Sequence, residues 1–143
     1  MKVADNGTRL LKRTLCEQRR IDASDPQLLS LASAYEKKWG VSTPEHIQRN
    51  WIGSYFPGES ELLAACAYVD FPEQKERDIL DIFVAPKRCG KIAAYELLNF
   101  IMDNIVSGWR LAGMIVFDNM NMRKAAEKAG LRPMSIAYMR EIP

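Results

Sequence analysis

Residues 81–94 of the chain read DIFVAPKRCGKIAA, and this stretch decides the fold. Its first four residues are β-branched, aromatic or aspartate, a composition that predicts a strand, and Pro86 ends it. A short basic loop with one glycine follows, and apolar residues at helical spacing from Lys91 to Ile105 predict a helix. The exposed N–H groups and the dipole of a helix start bind anions, so a pyrophosphate is a natural ligand. The same turn also fits a plain strand-to-helix connection whose glycine and basic residues serve geometry and solubility.

Downstream of this helix, the chain repeats the alternation of strand and helix. Leu111–Phe117 is an apolar run typical of a buried parallel strand. A helix is predicted over Asn119–Ala129, capped by Asp118 or Asn119, and a last strand over Pro133–Glu141. A strand–helix–strand crossover is right-handed, which predicts two parallel neighbouring strands.

Upstream, the pattern predicts helices and antiparallel strands. Asp25 and Pro26 begin a helix that ends at Gly40, by capping and by proline at the first helical position. The polar turn Pro72–Arg77 predicts a hairpin between the strands on either side of it. The other expected elements are a weak strand over Arg9–Leu15, a short helix over Ser42–Arg49, and strands over Asn50–Phe56, Glu61–Phe71 and Asp78–Ala85.

Composition bounds the class of protein. The 143 residues are 48% hydrophobic and 27% charged, which predicts one folded domain over residues 1–143. A formal net charge of +2 argues against a nucleic-acid partner, and three widely spaced cysteines with a single histidine, His46, argue against a metal site. The apolar runs are too short for a membrane span and Met1–Thr8 is polar, so we expect a cytoplasmic protein without a membrane partner.

Two segments resemble motifs of the GNAT N-acetyltransferase superfamily. Arg88-x-x-Lys91-x-Ala93 is similar to the loop that holds acetyl-CoA in that family, although Lys91 stands at its central glycine. The alternative register Lys87-x-x-Gly90-x-Ile92 restores that glycine but places Ile92 at the last small position. Residues Asp118 to Leu131 resemble a second motif, although Ala126 replaces the tyrosine of many members. A weaker likeness links the chain to short phage-borne GNAT-like proteins. The resemblance covers Asp78 to Ile142 and implies an α/β GNAT fold: a mixed central sheet with antiparallel N-terminal strands, a βαβ acetyl-CoA unit and flanking helices.

The same resemblance implies a set of residues for acetyl-CoA, used as co-substrate, with no metal. Three strand residues would pair with the pantetheine arm, seven loop and helix residues would hold the pyrophosphate, and one residue comes from the second motif. In that order they are Ile82, Phe83, Val84; Lys87, Arg88, Cys89, Gly90, Lys91, Ile92, Ala93; and Asn119.

Catalysis requires a carboxylate that deprotonates the amine. Asp81 is the first choice, since alternation along the strand places it on one face with Phe83, while Glu61 and Asp70 are weaker candidates. Tyr138 on the last strand is the candidate acid in place of the missing tyrosine. Both residues also fit structural roles, as a polar side chain on an exposed face and a half-buried strand aromatic.

The sequence thus favours an acetyl-CoA-dependent N-acetyltransferase that acts on a primary amine of a small molecule or a peptide. The altered loop and Ala126 leave open two alternatives. One is a catalytically inactive binding or structural protein, such as a phage virion or host-interaction protein, and the other is a module that binds a CoA thioester without turnover. A homodimer through the last strand or the N-terminal helix is compatible with both classes.

Overall fold

The computed structural model describes residues 15–40, 48–87, 89–115 and 119–133. Within these ranges the chain forms five strands and three helices. The strands are β1 (Glu17–Arg20), β2 (Asn50–Tyr55), β3 (Ala64–Phe71), β4 (Glu76–Val84) and β5 (Arg110–Gly113), and the helices are α1 (Pro26–Trp39), α2 (Gly90–Asp103) and α3 (Met120–Lys128). The expected α/β class is confirmed.

The described strands form one mixed sheet in the order β1-β2-β3-β4-β5. The first three pairings are antiparallel, and β4 pairs with β5 in parallel through the crossover that contains α2. The predicted hairpin and the predicted parallel pair are both present.

The ends of α1 are those that its sequence predicts. The carboxylate of Asp25 accepts hydrogen bonds from the backbone N–H groups of Gln27 and Leu28, and Pro26 occupies the first turn. Gly40 ends the helix with φ of 70°, a left-handed conformation that favours glycine.

Three strand boundaries differ from the expected ones by two residues or more. β4 begins at Glu76 because its first two residues, both charged, have partners: Glu76 contacts Arg110, and Arg77 binds Asp70 through two hydrogen bonds of 2.7 and 3.0 Å. β3 begins only at Ala64, three residues later than expected. β5 ends at Gly113, where its pairing with β4 stops, so the strand is shorter than the apolar run that predicted it.

Each face of the sheet carries its own apolar layer. On one face α2 packs against a cluster of buried residues: Cys16, Ile52, Leu63, Ala64, Cys66, Ala93, Ala94, Leu97 and Ile101. On the other face α1 packs against a second cluster: Leu28, Trp51, Tyr55, Leu62, Ala65, Ala67 and Phe83. We call these the α2 face and the α1 face.

Some predicted elements lie outside the described ranges. These are most of the strand expected at Arg9–Leu15, most of the helix expected at Ser42–Arg49, and nearly all of the last strand expected at Pro133–Glu141. No helix in the part of the chain that the structure describes is long and apolar enough to cross a membrane.

Candidate functional site

The candidate site begins where β4 separates from β5. The parallel pairing ends at Ile79 and Gly113, whereas β4 continues to Val84 along β3. In the β3–β4 register, Ala67 lies opposite Asp81 and Tyr68 opposite Ile79, so Leu80 is an extra residue that forms a β-bulge. A bulge bends its strand and increases the local twist, which accounts for the separation of the two strands at this point. Among the described residues, β4 therefore has no partner on its β5 side from Leu80 to Val84, a length of about 13 Å that we call the open edge.

The main chain of this open edge presents alternating polar groups to the gap. Ala85 donates its N–H to the carbonyl of Leu63, on the β3 side. Because backbone groups alternate in direction along a strand, Val84 and Ile82 turn their N–H and C=O groups to the opposite side. No hydrogen bond joins these groups to another described residue, so within the described part of the chain they can pair with a ligand that extends beside β4, in the position that β5 occupies nearer the start of the strand.

The open edge leads into the N-terminus of α2. Cys89 is the N-cap residue and makes no side-chain cap hydrogen bond, whereas Asp25 caps α1 and the side chain of Asn119 caps α3 by accepting from the N–H of Met122. The first turn of α2 also contains no acidic residue. This helix start therefore retains N–H groups and dipole that an anion can satisfy.

Gly90 is required by packing at this helix start. A Cβ atom there would lie 2.6 Å from Cγ1 of Val84 and 2.7 Å from the carbonyl oxygen of Ala85. The glycine thus allows α2 to begin directly against the end of β4. This role is independent of any ligand, and it brings the open edge and the helix start together.

The basic residues of the loop differ in their ion pairs and in their exposure to solvent. Lys87 forms an ion pair with Glu61, and both side chains are about half exposed. Lys91 and Ile92 are exposed in the first turn of α2, Ala93 is buried, and Cys89 is half-buried against the α2-face cluster. Lys91 is therefore an exposed cation in the first turn of the helix, while Arg88 lies outside the described residues.

Asp81, the predicted base, lies on the α1 face in an ion pair. Its Oδ2 atom accepts a hydrogen bond of 2.8 Å from Nη1 of Arg49, and the two side chains are only 8% and 12% exposed. Burial, with a further contribution from Asp81, raises the pKa of the nearby Tyr35 phenol. The catalytic role of Asp81 stays a prediction, and the structure adds that its charge is already balanced.

A second carboxyl group, on Asp78, was not predicted from the sequence. Asp78 lies opposite Ala112 of β5, one pair before the strands separate. Its Oδ1 atom is buried and has no hydrogen-bond partner among the residues that the structure describes. Burial, together with the neighbouring Glu76, raises the pKa of Asp78 to about 6. A carboxyl that titrates near neutrality beside an open strand edge has the properties of a general base.

The second predicted motif contributes α3. Asn119 uses its side-chain Oδ1 atom to cap this helix, accepting a hydrogen bond of 3.2 Å from the N–H of Met122. Ala126 is buried on α3 and offers no acidic proton. Tyr138 and Asp118 lie outside the described residues.

Comparison with known proteins supports the architecture. No protein-family model and no curated protein sequence matches the chain. Among solved structures, the chain is similar to one described as a probable acetyltransferase, with 18% identity over 89% of this chain and 97% of that one, and a TM-score of 0.65. A ribosomal-protein-alanine N-acetyltransferase from Brucella melitensis biovar Abortus 2308 is 16% identical over 89% of this chain and 99% of its own, with a TM-score of 0.64.

A third similar structure is an integron cassette protein from the mobile metagenome of V. cholerae, 17% identical over 92% of this chain and 94% of that one, with a TM-score of 0.62. At these identities the likeness concerns the fold. The mixed sheet of five strands and the three helices of the described residues agree with it. The chain therefore has the α/β fold of the GNAT acetyltransferases.

Proposed function

We propose that the protein is an acetyl-CoA-dependent N-acetyltransferase that acts on a primary amine of a small molecule or a peptide. The observation that carries this proposal is the continuous path from the open β4 edge to the uncapped start of α2. The main chain of the β4 edge can form hydrogen bonds with an extended arm that contains amides. The start of α2 can bind the phosphates of the same ligand. The fold shared with acetyltransferases supports the assignment.

The residues present fit acetyl-CoA in kind. Ile82 and Val84 offer main-chain partners for the pantetheine arm, with Phe83 between them, and Lys91 adds positive charge to the helix start. Lys87 can contribute if it leaves Glu61, and Asn119 can donate from its amide. Acetyl-CoA, when bound, supplies an acyl group activated as a thioester. The N–H of Val84 is suited to stabilise negative charge that develops on the acyl oxygen.

Asp78 is better suited than Asp81 to accept the proton of the amine. Its pKa of about 6 lies near the working pH, and its buried Oδ1 atom has no hydrogen-bond partner within the described ranges. Asp81 is bound to Arg49. Because the bulge at Leu80 turns both carboxyls to the α1 face, we assign proton transfer to Asp78 and acceptor positioning to the Asp81–Arg49 pair.

The first test is a calorimetric titration of the protein with acetyl-CoA and with CoA, repeated on Lys91→Glu. We expect micromolar binding, weakened at least tenfold by the variant, because a carboxylate at the helix start repels phosphate. Lys37→Glu is the matched control: it changes an exposed lysine by the same two charges on α1, across the sheet, and leaves the affinity unchanged. Absence of binding by the unmodified protein contradicts the proposal.

Turnover is measured next as release of free CoA thiol in the presence of a panel of primary amines. Asp78→Asn is expected to lower kcat at least a hundredfold with little change in acetyl-CoA affinity, since general base catalysis typically contributes about 10²–10⁴. Asp81→Asn is the comparison. A larger loss of kcat in Asp81→Asn than in Asp78→Asn would return the role of base to Asp81.

A second candidate function is a module that binds a CoA thioester without turnover, or a GNAT-like binding or structural protein. Two residues favour it: Lys91 stands in place of the loop glycine, and the buried Ala126 stands in place of a tyrosine that could act as general acid. Calorimetric binding without thiol release for any amine supports the binding module. Failure of both measurements leaves the structural protein.

A further inference from the structure

Glu76 and Asp78 form a carboxyl pair on β4. They are two residues apart, so both side chains lie on the same side of the strand, away from Ile79 in the α2-face cluster. Glu76 lies opposite Arg110 of β5, and Asp78 lies opposite Ala112. The pair thus sits at the last stretch of β4–β5 pairing, directly before the open edge.

The two carboxyl groups differ in their access to water. Oδ1 of Asp78 is buried. The side chain of Glu76 is 17% exposed and ion-paired with Arg110, whose side chain is 75% exposed. The side chains of Asp78, Glu76 and Arg110, in this order, are increasingly exposed and connect the interior of the candidate site with solvent.

A hydrogen bond between two carboxyl groups needs one proton, because two carboxylates have only acceptors. Burial and then this hydrogen bond raise the pKa of Asp78 to about 6, whereas the same bond, followed by Arg110, lowers the pKa of Glu76. The shared proton therefore belongs to Asp78 when the pair is singly protonated, and Glu76 stays ionised.

Neighbouring elements add few other charges at this position. Among the described residues, the charged groups that act on Asp78 are Glu76 from its own strand and Arg110 from β5. On β3 the residue opposite Asp78 is Val69, which is uncharged. On the α1 face, the charge of Asp81 helps to raise the pKa of Tyr35, and Asp81 itself forms an ion pair with Arg49.

We propose that Glu76 is a positioning residue that holds the protonated Asp78 carboxyl through the hydrogen bond between the two carboxyl groups and conducts its proton to solvent, with Arg110 holding Glu76 in place. This proposal rests on the acetyltransferase function proposed above. The amine arrives as an ammonium and gives one proton to Asp78. The amine nitrogen then forms its bond to the acyl carbon as the carbon–sulfur bond breaks, and its second lost proton ends on the CoA sulfur. Asp78 passes its proton to Glu76 and on to water, so each turnover releases one proton.

The first experiment titrates the aspartate carboxyl carbons by NMR in the substrate-free protein, with Asp78→Asn to assign the Asp78 signal. In Glu76→Gln we expect the pKa of Asp78 to fall by about one unit, because a neutral amide removes the like charge and can donate to the carboxylate. Glu73→Gln is the matched control, the same substitution at an exposed turn residue, and leaves the Asp78 titration unchanged.

The kinetic readout separates positioning from a merely structural role. In Glu76→Gln the acid limb of the kcat–pH profile is expected to move down with the Asp78 pKa, while kcat on the plateau falls about tenfold and acetyl-CoA affinity is unchanged. If Glu76→Gln does not fold, Arg110→Gln changes an exposed side chain and is expected to raise the pKa of Asp78, because Arg110 lowers it in the unmodified protein; an unchanged Asp78 titration in this variant then overturns the proposal.

The outcomes for the pair and for the function are distinguishable. An ordinary aspartate titration at Asp78 in the unmodified protein, or no change of that titration in Glu76→Gln, overturns the proposal whether or not the protein is an enzyme. A raised Asp78 pKa that falls in Glu76→Gln supports the pair even if calorimetry shows no acetyl-CoA binding, in which case only the proposed function fails.

Discussion

Asp78 brings an ionisable group into a part of the sheet where one of its oxygens has no access to water. Ionising it there costs free energy that the unfolded chain, fully hydrated, does not pay. The structure tolerates this cost beside the open edge of β4. Catalytic groups are often placed in this way, since the burial that raises a carboxyl pKa also weakens the folded state.

Asp78→Asn is therefore expected to stabilise the protein. The folded-state pKa of Asp78 is raised to about 6, so between about pH 4 and pH 6 the folded state binds more protons than the unfolded state. The free energy of unfolding consequently falls as the pH rises through this window. Above it, Asp78→Asn should be more stable than the unmodified protein by on the order of 2 kcal/mol.

Urea unfolding of both proteins at pH 4 and pH 7 measures this difference. The gain is expected at pH 7 and should largely disappear at pH 4, where Asp78 is protonated in the folded state and about half protonated in the unfolded chain. An equal difference at the two pH values would mean that the carboxyl is not strained in the folded protein.

The residues of the candidate site were only partly predictable. Strict alternation places Asp81 and Asp78 on opposite faces of a strand, since they are three residues apart. The bulge at Leu80 turns them to the same face, and nothing in the strand's sequence marks that bulge. The ion pair of Asp81 was equally hidden, because Arg49 is 32 residues earlier in the chain. Sequence could nominate carboxyls on β4, but tertiary structure decides which of them is balanced.

At the scale of the element, the junction between β4 and α2 depends on Gly90, which has no side chain. Gly90→Ala is expected to lower the free energy of unfolding by about 2–3 kcal/mol, because the new methyl group would overlap Val84 and the Ala85 carbonyl. Gly108→Ala is the comparison: its Cβ meets no atom within 4 Å, and φ of 88° limits its cost to about 1 kcal/mol. Chemical denaturation of both variants gives the ranking, and a smaller loss at Gly90 would contradict this account of the junction.

Elements with strong local signals were predicted well and those without were not. Capping residues gave the start of α1 and of α3, and the apolar periodicity gave α2 to within two residues of each end. β1 was not predicted, because its four residues, Glu-Gln-Arg-Arg, are all polar. This edge strand is held by main-chain pairing with β2, which no side-chain pattern reports.

At the scale of the whole molecule, the order of the elements carried most of the prediction. The hairpin signal at the Pro72 turn and the strand–helix–strand pattern that follows it leave few topologies, and both pairings are observed. Apart from what the resemblance to the GNAT acetyl-CoA motif implies, the sequence does not predict that β4 separates from β5. This separation arises from the bulge and from the short length of β5, which together set the open edge.

The arrangement of the sheet also has a consequence for the order in which the chain folds. β3 and β4 are joined by the four-residue turn Pro72–Lys75 and align eight residue pairs, so little chain entropy opposes their association. β5 must wait for α2, because Glu76 and Arg110 are 34 residues apart in the chain. The hairpin is thus suited to nucleate the domain, and the gap beside β4 is completed late. The β5 side of the place where we expect acetyl-CoA to bind is then also among the first parts to open when the native state fluctuates.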